Sequence, residues 1–297
     1  MPTAAPPSSS LNCFRLDERR DHVVLAVNPK SGARCTRHLV EELADRLRAQ
    51  NYHAEILTDL EHIAERANSL QAQGRLRTLV GAGGDGTAAE LVNRTVAGVP
   101  LTVFPAGTEN LLAKYLRLKA DPYAISHAID DGCVVRFDAG WACPPGRPDQ
   151  GRVFLLMADC GFDAEVVRLL HDERAGHISR FTYGKPFFQA LRRYQHPEMR
   201  IHVESVAADQ NGSDRACGAS PLLSRWMFVF NLPCYAQGLK IAPRAVATDG
   251  WLDLCSFQGG STWHVFKYLL GVLMRRHTRF KDCHMQAVKR LRIEADQ

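Results

Sequence analysis

The stretch Leu79-Val-Gly-Ala-Gly-Gly-Asp-Gly-Thr-Ala-Ala-Glu-Leu-Val-Asn93 joins an apolar run to a helical pattern through a glycine-rich turn. Gly81, Gly83 and Gly86 spell G-x-G-x-x-G, the spacing of a dinucleotide cradle. Two features argue against that reading. A dinucleotide motif follows the first strand of its fold, and an acid about 20 residues later holds the ribose. Here the motif follows the third β-like run, and the corresponding place, Val103-Phe104-Pro105, carries no acid. Asp85 is the second objection, because a carboxylate inside a pyrophosphate cradle repels its ligand unless a divalent cation or a transferable proton intervenes. Glycine N–H donors, Thr87 and a carboxylate in one loop match phosphoryl transfer better, with the acid helping to hold Mg2+ or accepting a hydroxyl proton. The plain alternative is a tight turn in which Asp85 caps its own helix, and a cap requires neither the three glycines nor Thr87.

Outward from this loop, residues 21–122 alternate short β-branched runs with helical periods, the pattern of a parallel α/β layer. Strands are expected at His22–Val27, His53–Leu57, Leu76–Val80 and Leu101–Phe104. Helices are expected through Leu39, Leu43 and Leu47, through Ile63, Ala67 and Leu70, and from Ala88 to Val96. The strand-ending loops then share one edge of the sheet, where open α/β sheets bind ligands. Asn28-Pro-Lys-Ser-Gly32 follows the first strand, and its backbone N–H groups with Lys30 suit an anion such as phosphate.

After Ile129 longer β-like stretches take over, at Cys133–Ala142, Arg152–Ala158, Met199–Val206 and Arg225–Phe230. The loops 141–151 and 207–221 read as exposed connections. The expected organisation is a disordered leader over 1–20, an α/β nucleotide-binding domain over 21–130 and a β-rich second domain over 131–297.

A chain of 297 residues with 45% hydrophobic content can build two cores. The net charge of +5 is mild and predicts no nucleic-acid partner. Nine cysteines without a C-x-x-C pair form neither a zinc framework nor a disulfide scaffold, which suits a reducing compartment. The leader lacks the basic start and the apolar core of about 7–15 residues of a secretory signal. Val265–Met274, interrupted by Lys267, is well short of the ~20 residues needed to span a bilayer. The basic run Arg275-Arg-His-Thr-Arg-Phe-Lys281 behind it, with Arg192 and Arg193, suits either adsorption to anionic headgroups or the solvated end of a core helix. Phe181, Tyr183, Phe187 and Phe188 form an aromatic cluster that is either plain core or the wall of an acyl pocket.

Three segments together resemble the nucleotide-site motifs of the diacylglycerol kinase catalytic family, which includes bacterial lipid kinases, sphingosine kinases and ceramide kinases. They are Asn28-Pro-Lys-Ser-Gly32, Gly83-Gly-Asp-Gly-Thr87 with Glu90 and Asn93, and Pro105-Ala-Gly-Thr-Glu-Asn-Leu-Leu-Ala113. The resemblance continues through Gly161–Val166 and through Gly238–Ala245 with Asp249, Gly250 and Asp253, so it spans most of the chain. It implies an α/β domain like that of NAD kinases and 6-phosphofructokinases, then a β-rich lipid domain. By carry-over, Asn28, Lys30, Ser31 and Gly32 line the nucleotide with Thr58 near it. Gly83, Gly84, Gly86 and Thr87, with Glu90 in the same motif, wrap the phosphates, while Gly107, Thr108 and Asn110 close the site. Asp85 lies nearest the chemistry, and Asp249 and Asp253 resemble a second, structural metal site.

The implied activity is transfer of the γ-phosphate of ATP, with Mg2+, to the hydroxyl of a diacylglycerol, a sphingoid base or a related lipid. The enzyme is expected to be cytoplasmic and peripheral to the membrane that supplies its lipid, and a homodimer is compatible with this reading. Family members continue past a strand like Val288–Glu294 into an Asp-Gly-Glu motif, so the second domain is expected to be shortened. A non-catalytic nucleotide-binding member, or a soluble NAD kinase sharing Gly-Gly-Asp-Gly-Thr, remains the alternative.

Overall fold

The computed structural model describes residues 13–28, 37–172, 184–206, 215–216 and 220–295. Two units divide the chain, Met1–Phe137 with Cys143–Val153, and Asp138–Ala142 with Phe154–Gln297.

The first unit runs β1 (Cys13–Arg15), β2 (His22–Val27), α1 (Arg37–Ala49), β3 (His53–Leu57), α2 (Leu60–Ala72), β4 (Leu76–Gly83), α3 (Asp85–Arg94), β5 (Leu101–Pro105), α4 (Leu111–Tyr115), α5 (Pro122–Asp131) and β6 (Cys133–Val135). Four parallel strands stand in the order β3-β2-β4-β5. Every residue of β2 and β4 is buried, because helices cover both faces and leave no polar side to alternate toward. Val23, Leu25 and Val27 of β2 meet Val40, Leu43 and Leu47 of α1 and Ile125 and Ile129 of α5. Val24 and Ala26 point the other way, toward Ile63, Ala67 and Leu70 of α2 and Leu91 of α3. The period-2 strand has thereby split its apolar residues between two helical layers.

This strand order has a consequence for ligands. The chain leaves β2 to one side for β3 and returns past it to β4, so the carboxyl ends of β2 and β4 flank the topological switch point, where such sheets open a crevice.

Cys13 and Cys133 are joined in a disulfide, with Cα atoms 6.1 Å apart, where β1 pairs antiparallel with β6. This corrects the expectation that the cysteines form no bridge. Their sequence separation of 120 hides a pairing that only the strand register creates.

The second unit holds β7 (Gly140–Ala142), most of its remaining elements following β8 (Arg152–Phe154): β9 (Met157–Cys160), α6 (Phe162–Asp172), α7 (Gly184–Arg193), β10 (Met199–Val206), β11 (Arg215–Ala216), β12 (Leu222–Ser224), β13 (Trp226–Phe230), β14 (Leu252–Phe257), α8 (Thr262–Leu273) and β15 (Cys283–Ala295). Among the described residues its sheet is antiparallel in the order β11-β10-β15-β14-β13-β9, with β12 on β10. Trp226, Phe228 and Phe230 of β13 face a core shared with Phe162 of α6, Ala190 of α7 and Val265 and Tyr268 of α8. Met227 and Val229 face the opposite layer with Met199, Ile201, Leu254 and Val288.

Two of the expected long strands are interrupted, Cys133–Ala142 into β6 and β7, and Arg152–Ala158 into β8 and β9. Buried Asn231 accounts for the second unit's share of both breaks. Its Nδ2 donates to Asp138 O at 2.7 Å and to Leu155 O at 2.8 Å, so those carbonyls are satisfied outside any ladder.

Arg77 fixes the last helix of the first unit. It is 5% exposed and donates from Nε to Ile129 O at 2.8 Å and from Nη2 to Asp130 O at 2.5 Å, a cation on the carboxyl end of α5. Arg77→Ala is expected to lower stability by about 2–3 kcal/mol, since two carbonyls lose a charged donor. Arg77→Lys is not expected to restore it, because one ammonium does not reproduce the guanidinium fork. Urea unfolding of the three proteins measures both outcomes.

Candidate functional site

Three loops of the first unit meet at the switch point. Asn28 follows β2, Gly83–Thr87 connects β4 to α3, and Ala106–Asn110 connects β5 to α4. The Ala106 N–H donates to Gly83 O at 3.0 Å, which extends the β4–β5 pairing into the loops. Asn28 Nδ2 lies 3.4 Å from Thr87 Oγ1, a link from the β2 loop to the first turn of α3.

Close approach explains Gly83 and Gly84 in the Gly-Gly-Asp-Gly segment. A Cβ on Gly83 would occupy the position of Thr87 Oγ1, and one on Gly107 would drive into the Gly84 Cα. Gly84 and Gly107 therefore let two backbones approach as no other residue pair would. Gly86 is different: it is exposed, and a Cβ there would meet nothing within 4 Å. The outer edge of the loop is open at the start of α3, where the Thr87 and Ala88 N–H groups already bond Gly84 O at 2.9 and 3.3 Å and the N–H groups before them open the helix. No side chain caps α3 at Gly84. A phosphate-bearing ligand suits both the open edge and the helix dipole behind it.

Asp85 holds the arrangement together. Its Oδ2 accepts the Leu111 N–H and its Oδ1 accepts the Leu112 N–H, each at 2.9 Å. The cause lies in Asn110, the N-cap of α4, which takes left-handed backbone angles. The Asn110 side chain is committed to its own loop, accepting Gly107 N–H at 2.9 Å and donating to Gly107 O at 2.8 Å. Helix α4 is left without a cap of its own, and a carboxylate 26 residues earlier supplies it. Asp85 is thus a cap, as the plain sequence reading allowed, but for α4 rather than for its own helix.

The other expected nucleotide residues are distributed as follows. Thr87 is buried beneath the loop, while Thr108 is exposed above the α4 turn and Thr58 is exposed at the end of β3, on the same sheet edge. Glu90 lies one turn into α3 and pairs with Arg152 at 2.5 Å and Arg94 at 3.3 Å; among the described residues no contact joins it to the loop cluster. Asn93 bonds Val153 through both its amide oxygen and nitrogen at 2.8 Å. Lys30, Ser31 and Gly32, like Phe181 and Tyr183, lie outside the described residues. Phe187 packs edge-on against Phe162 with centroids 5.5 Å apart, while Phe188 is exposed.

In the second unit, Asp249 and Asp253 sit at the entry to β14. Asp249 Oδ1 accepts the Trp251 N–H at 2.9 Å, and Asp138 Oδ2 accepts the Gly250 N–H at 2.7 Å. Burial raises the Asp249 carboxyl against the opposing Trp251 hydrogen bond. Burial, then the Asp249 charge, pushes Asp253 up to about 6, with Arg244 opposing. Among the described residues no three His, Cys, Asp or Glu side chains converge as metal ligands.

A second polar group escaped the sequence reading although Asp163 lay within the noted Gly161–Val166 segment. Asp159 pairs across the ladder with Phe228 and so shares its face of the sheet. Asp163, at the start of α6, accepts the Tyr235 hydroxyl at 2.6 Å. Burial, and then the charge of Asp163, holds the Asp159 carboxyl well above the usual range; burial raises Asp163 against the Tyr235 hydrogen bond. The available signal was two acids bracketing a glycine at Asp159-Cys-Gly-Phe-Asp163 within an otherwise apolar strand-to-helix passage.

Comparison with known proteins matches residues 22–142 to the diacylglycerol kinase catalytic domain and residues 157–297 to the YegS C-terminal NAD kinase β-sandwich-like domain. A diacylglycerol kinase of Mycobacterium tuberculosis is 26% identical over 220 residues, covering 71% of this chain and 65% of the relative. The chain thus spans just under two thirds of that relative's length. A crystal structure of a diacylglycerol kinase from Bacillus anthracis strain Sterne superposes with a TM-score of 0.62 at 19% identity, covering 93% of this chain and 87% of the other. A second structure from the same organism gives a TM-score of 0.66 at 16% identity, covering 95% and 88%. The fold is therefore shared with these structures.

The raised Asp253 carboxyl gives a stability signature. A folded carboxyl that holds its proton to higher pH than the unfolded one stabilises the fold below about pH 4, and that contribution is lost as pH rises through about 6. Asp253→Asn should gain on wild type by about 1 kcal/mol between pH 4 and pH 8, after allowance for solvent screening. Paired denaturant titrations measure the difference. A gain that Mg2+ cancels by stabilising only the wild type would support the metal reading of Asp249 and Asp253.

Proposed function

Because this chain belongs to the diacylglycerol kinase catalytic-domain family, we propose that it is an ATP- and Mg2+-dependent lipid kinase that phosphorylates a lipid hydroxyl, on a diacylglycerol, a sphingoid base or a related acceptor. The observation that carries this reading is the Asp85 clamp, which closes the Gly83–Thr87 and Ala106–Asn110 loops on each other and leaves their outer edge open. In this reading the α3 N–H groups and the Gly84–Gly86 backbone receive the phosphates, and Asn28, Thr87, Gly107 and Asn110 fix the loops that present them. Lys30, Ser31 and Gly32 belong to the same proposed nucleotide site, with Thr58 and Thr108 at its margin.

Asp85 orients by its two N–H bonds and keeps a further lone pair on each oxygen. That free side is assigned to the acceptor hydroxyl, whose proton it takes as the hydroxyl oxygen attacks the γ-phosphorus and the β,γ-bridging oxygen leaves with ADP. When bound, Mg2+ supplies neutralisation of charge developing on the phosphoryl oxygens, and Asp85 is the acid of this loop suited to hold it. Positioning does most of the remaining work, because phosphoryl transfer asks little covalent chemistry of the protein. No helix among the described residues is long and apolar enough to cross a membrane, and we assign the enzyme to the cytoplasm, peripheral to the membrane that supplies its acceptor.

The deciding assay supplies labelled ATP, Mg2+ and mixed micelles containing diacylglycerol, sphingosine or monoacylglycerol. Wild type should label at least one lipid. Asp85→Asn should lower kcat by a hundredfold or more, on the order of a lost general base, and also lower stability by about 1–2 kcal/mol through the uncapped α4. Labelled NAD with unlabelled lipids would replace the reading with a soluble kinase. ATP binding without transfer to any acceptor would assign a non-catalytic nucleotide-binding role.

A further inference from the structure

Helix α8 is apolar on two opposite faces. Val265, Tyr268 and Val272 point into the core of the second unit. Trp263, Phe266, Leu270 and Leu273, with Met274 at the helix end, are 73%, 46%, 57%, 69% and 52% exposed. At ~100° per residue these five fall within an arc of roughly 100°, directly opposite the buried face. A contiguous stripe of large apolar side chains on a helix whose other face already fills the core calls for a second apolar medium.

The chain beyond the stripe identifies that medium. Arg275, Arg276, Arg279 and Lys281 are exposed, and among the described residues none of them makes an ion pair. The turn that carries them is held against the helix. Arg276 N–H bonds Gly271 O at 2.7 Å, Phe280 packs over Gly271, and the buried His277 reaches Ile241 O at 2.8 Å through Nε2. The nearby acid is Asp282, and it is consumed by Lys267 at 2.7 Å and by the Tyr268 hydroxyl at 2.6 Å. The outward surface therefore combines an apolar stripe with an uncompensated cationic end. Ser261, Thr262 and His264 at the other end offer no carboxylate, so a second copy laid antiparallel along the stripe would leave the arginines unanswered.

We propose that the outward face of α8 and the basic turn 275–281 form a docking surface for an anionic phospholipid bilayer, with the stripe entering the acyl boundary and the arginines meeting the headgroups. Delivery of a lipid acceptor by this surface rests on the proposed kinase activity, whereas the docking itself does not.

The test measures partition of the full chain onto vesicles of phosphatidylcholine alone and of phosphatidylcholine with phosphatidylserine. Wild type should prefer the anionic vesicles at least tenfold, and added salt should erode the preference. Arg275→Gln, Arg276→Gln and Arg279→Gln together should weaken binding by about a hundredfold, from three headgroup contacts of roughly fivefold each. Leu270→Ser with Leu273→Ser should also weaken it tenfold or more, with unchanged thermal unfolding because both side chains are exposed. Brominated lipid should quench wild type more than Trp263→Phe. Equal binding by wild type and both variants would overturn the proposal. So would absence of vesicle binding, including the case in which Leu270 and Leu273 instead support self-association by sedimentation or retain a protein partner. Vesicle binding without phosphorylation of any lipid would retract the kinase reading alone, while kinase activity on micelles without vesicle binding would retract the docking surface alone.

Discussion

The arrangement at the sheet edge depends on one interaction, the Asp85 carboxylate on the first N–H groups of α4. Without it the first N–H groups of α4 would have no side-chain acceptor, as those of α3 have none. Placed between them, a charged acceptor answers one helix while belonging to another, and it draws Gly84 and Gly107 into backbone contact. Charge-assisted N–H bonds are about twice as strong as neutral ones, which suits a joint that holds an otherwise open loop. The glycines then follow as a steric requirement of the joint, and Gly86 alone among them is spared any packing duty.

The second unit handles polar groups in a different way. Its sheet carries an aromatic face built on Trp226, Phe228, Phe230 and Phe257, yet Asp159 sits on that face and Asp163 beside it. Burial keeps these acids toward their protonated forms and Tyr235 supplies the hydrogen bond that burial makes necessary. Asn231 does the same for backbone carbonyls, satisfying two that the strand ladders abandon. Helix α8 is the reverse case, in which apolar side chains remain in water on one side because the core needed only the other.

Much of the first unit was legible because its strands obey simple periods. His22–Val27 and His53–Leu57 stand where β-branched and apolar runs placed them, and Leu43 and Leu47 occupy the buried side of α1 as their spacing required. Helices α5 and α7 were missed for opposite reasons. Around α5 the chain changes style, and its cap, Asp121, and the Pro122 that follows can equally open a loop. In α7 the aromatic pair Phe187-Phe188 suggested a ligand wall and masked the helical spacing of Phe187, Ala190 and Leu191. The disulfide was invisible because it joins β1 and β6, whose register is set by their pairing, whereas Asp159 and Asp163 are local to one another and only their partner Tyr235 is distant in the chain.

The sequence by itself determined the parallel α/β layer, the mainly β unit after it, and the place of a glycine-rich strand-to-helix loop at Gly83–Thr87, because periodicity and glycine spacing are local properties of the chain. Only the tertiary structure decided what Asp85 does. A carboxylate has no inherent partner, and whether it caps its own helix, another helix or nothing depends on where an unrelated N-terminus is brought. Here Asn110 spends its side chain on Gly107, the start of α4 is left open, and strand order places that start beside Asp85.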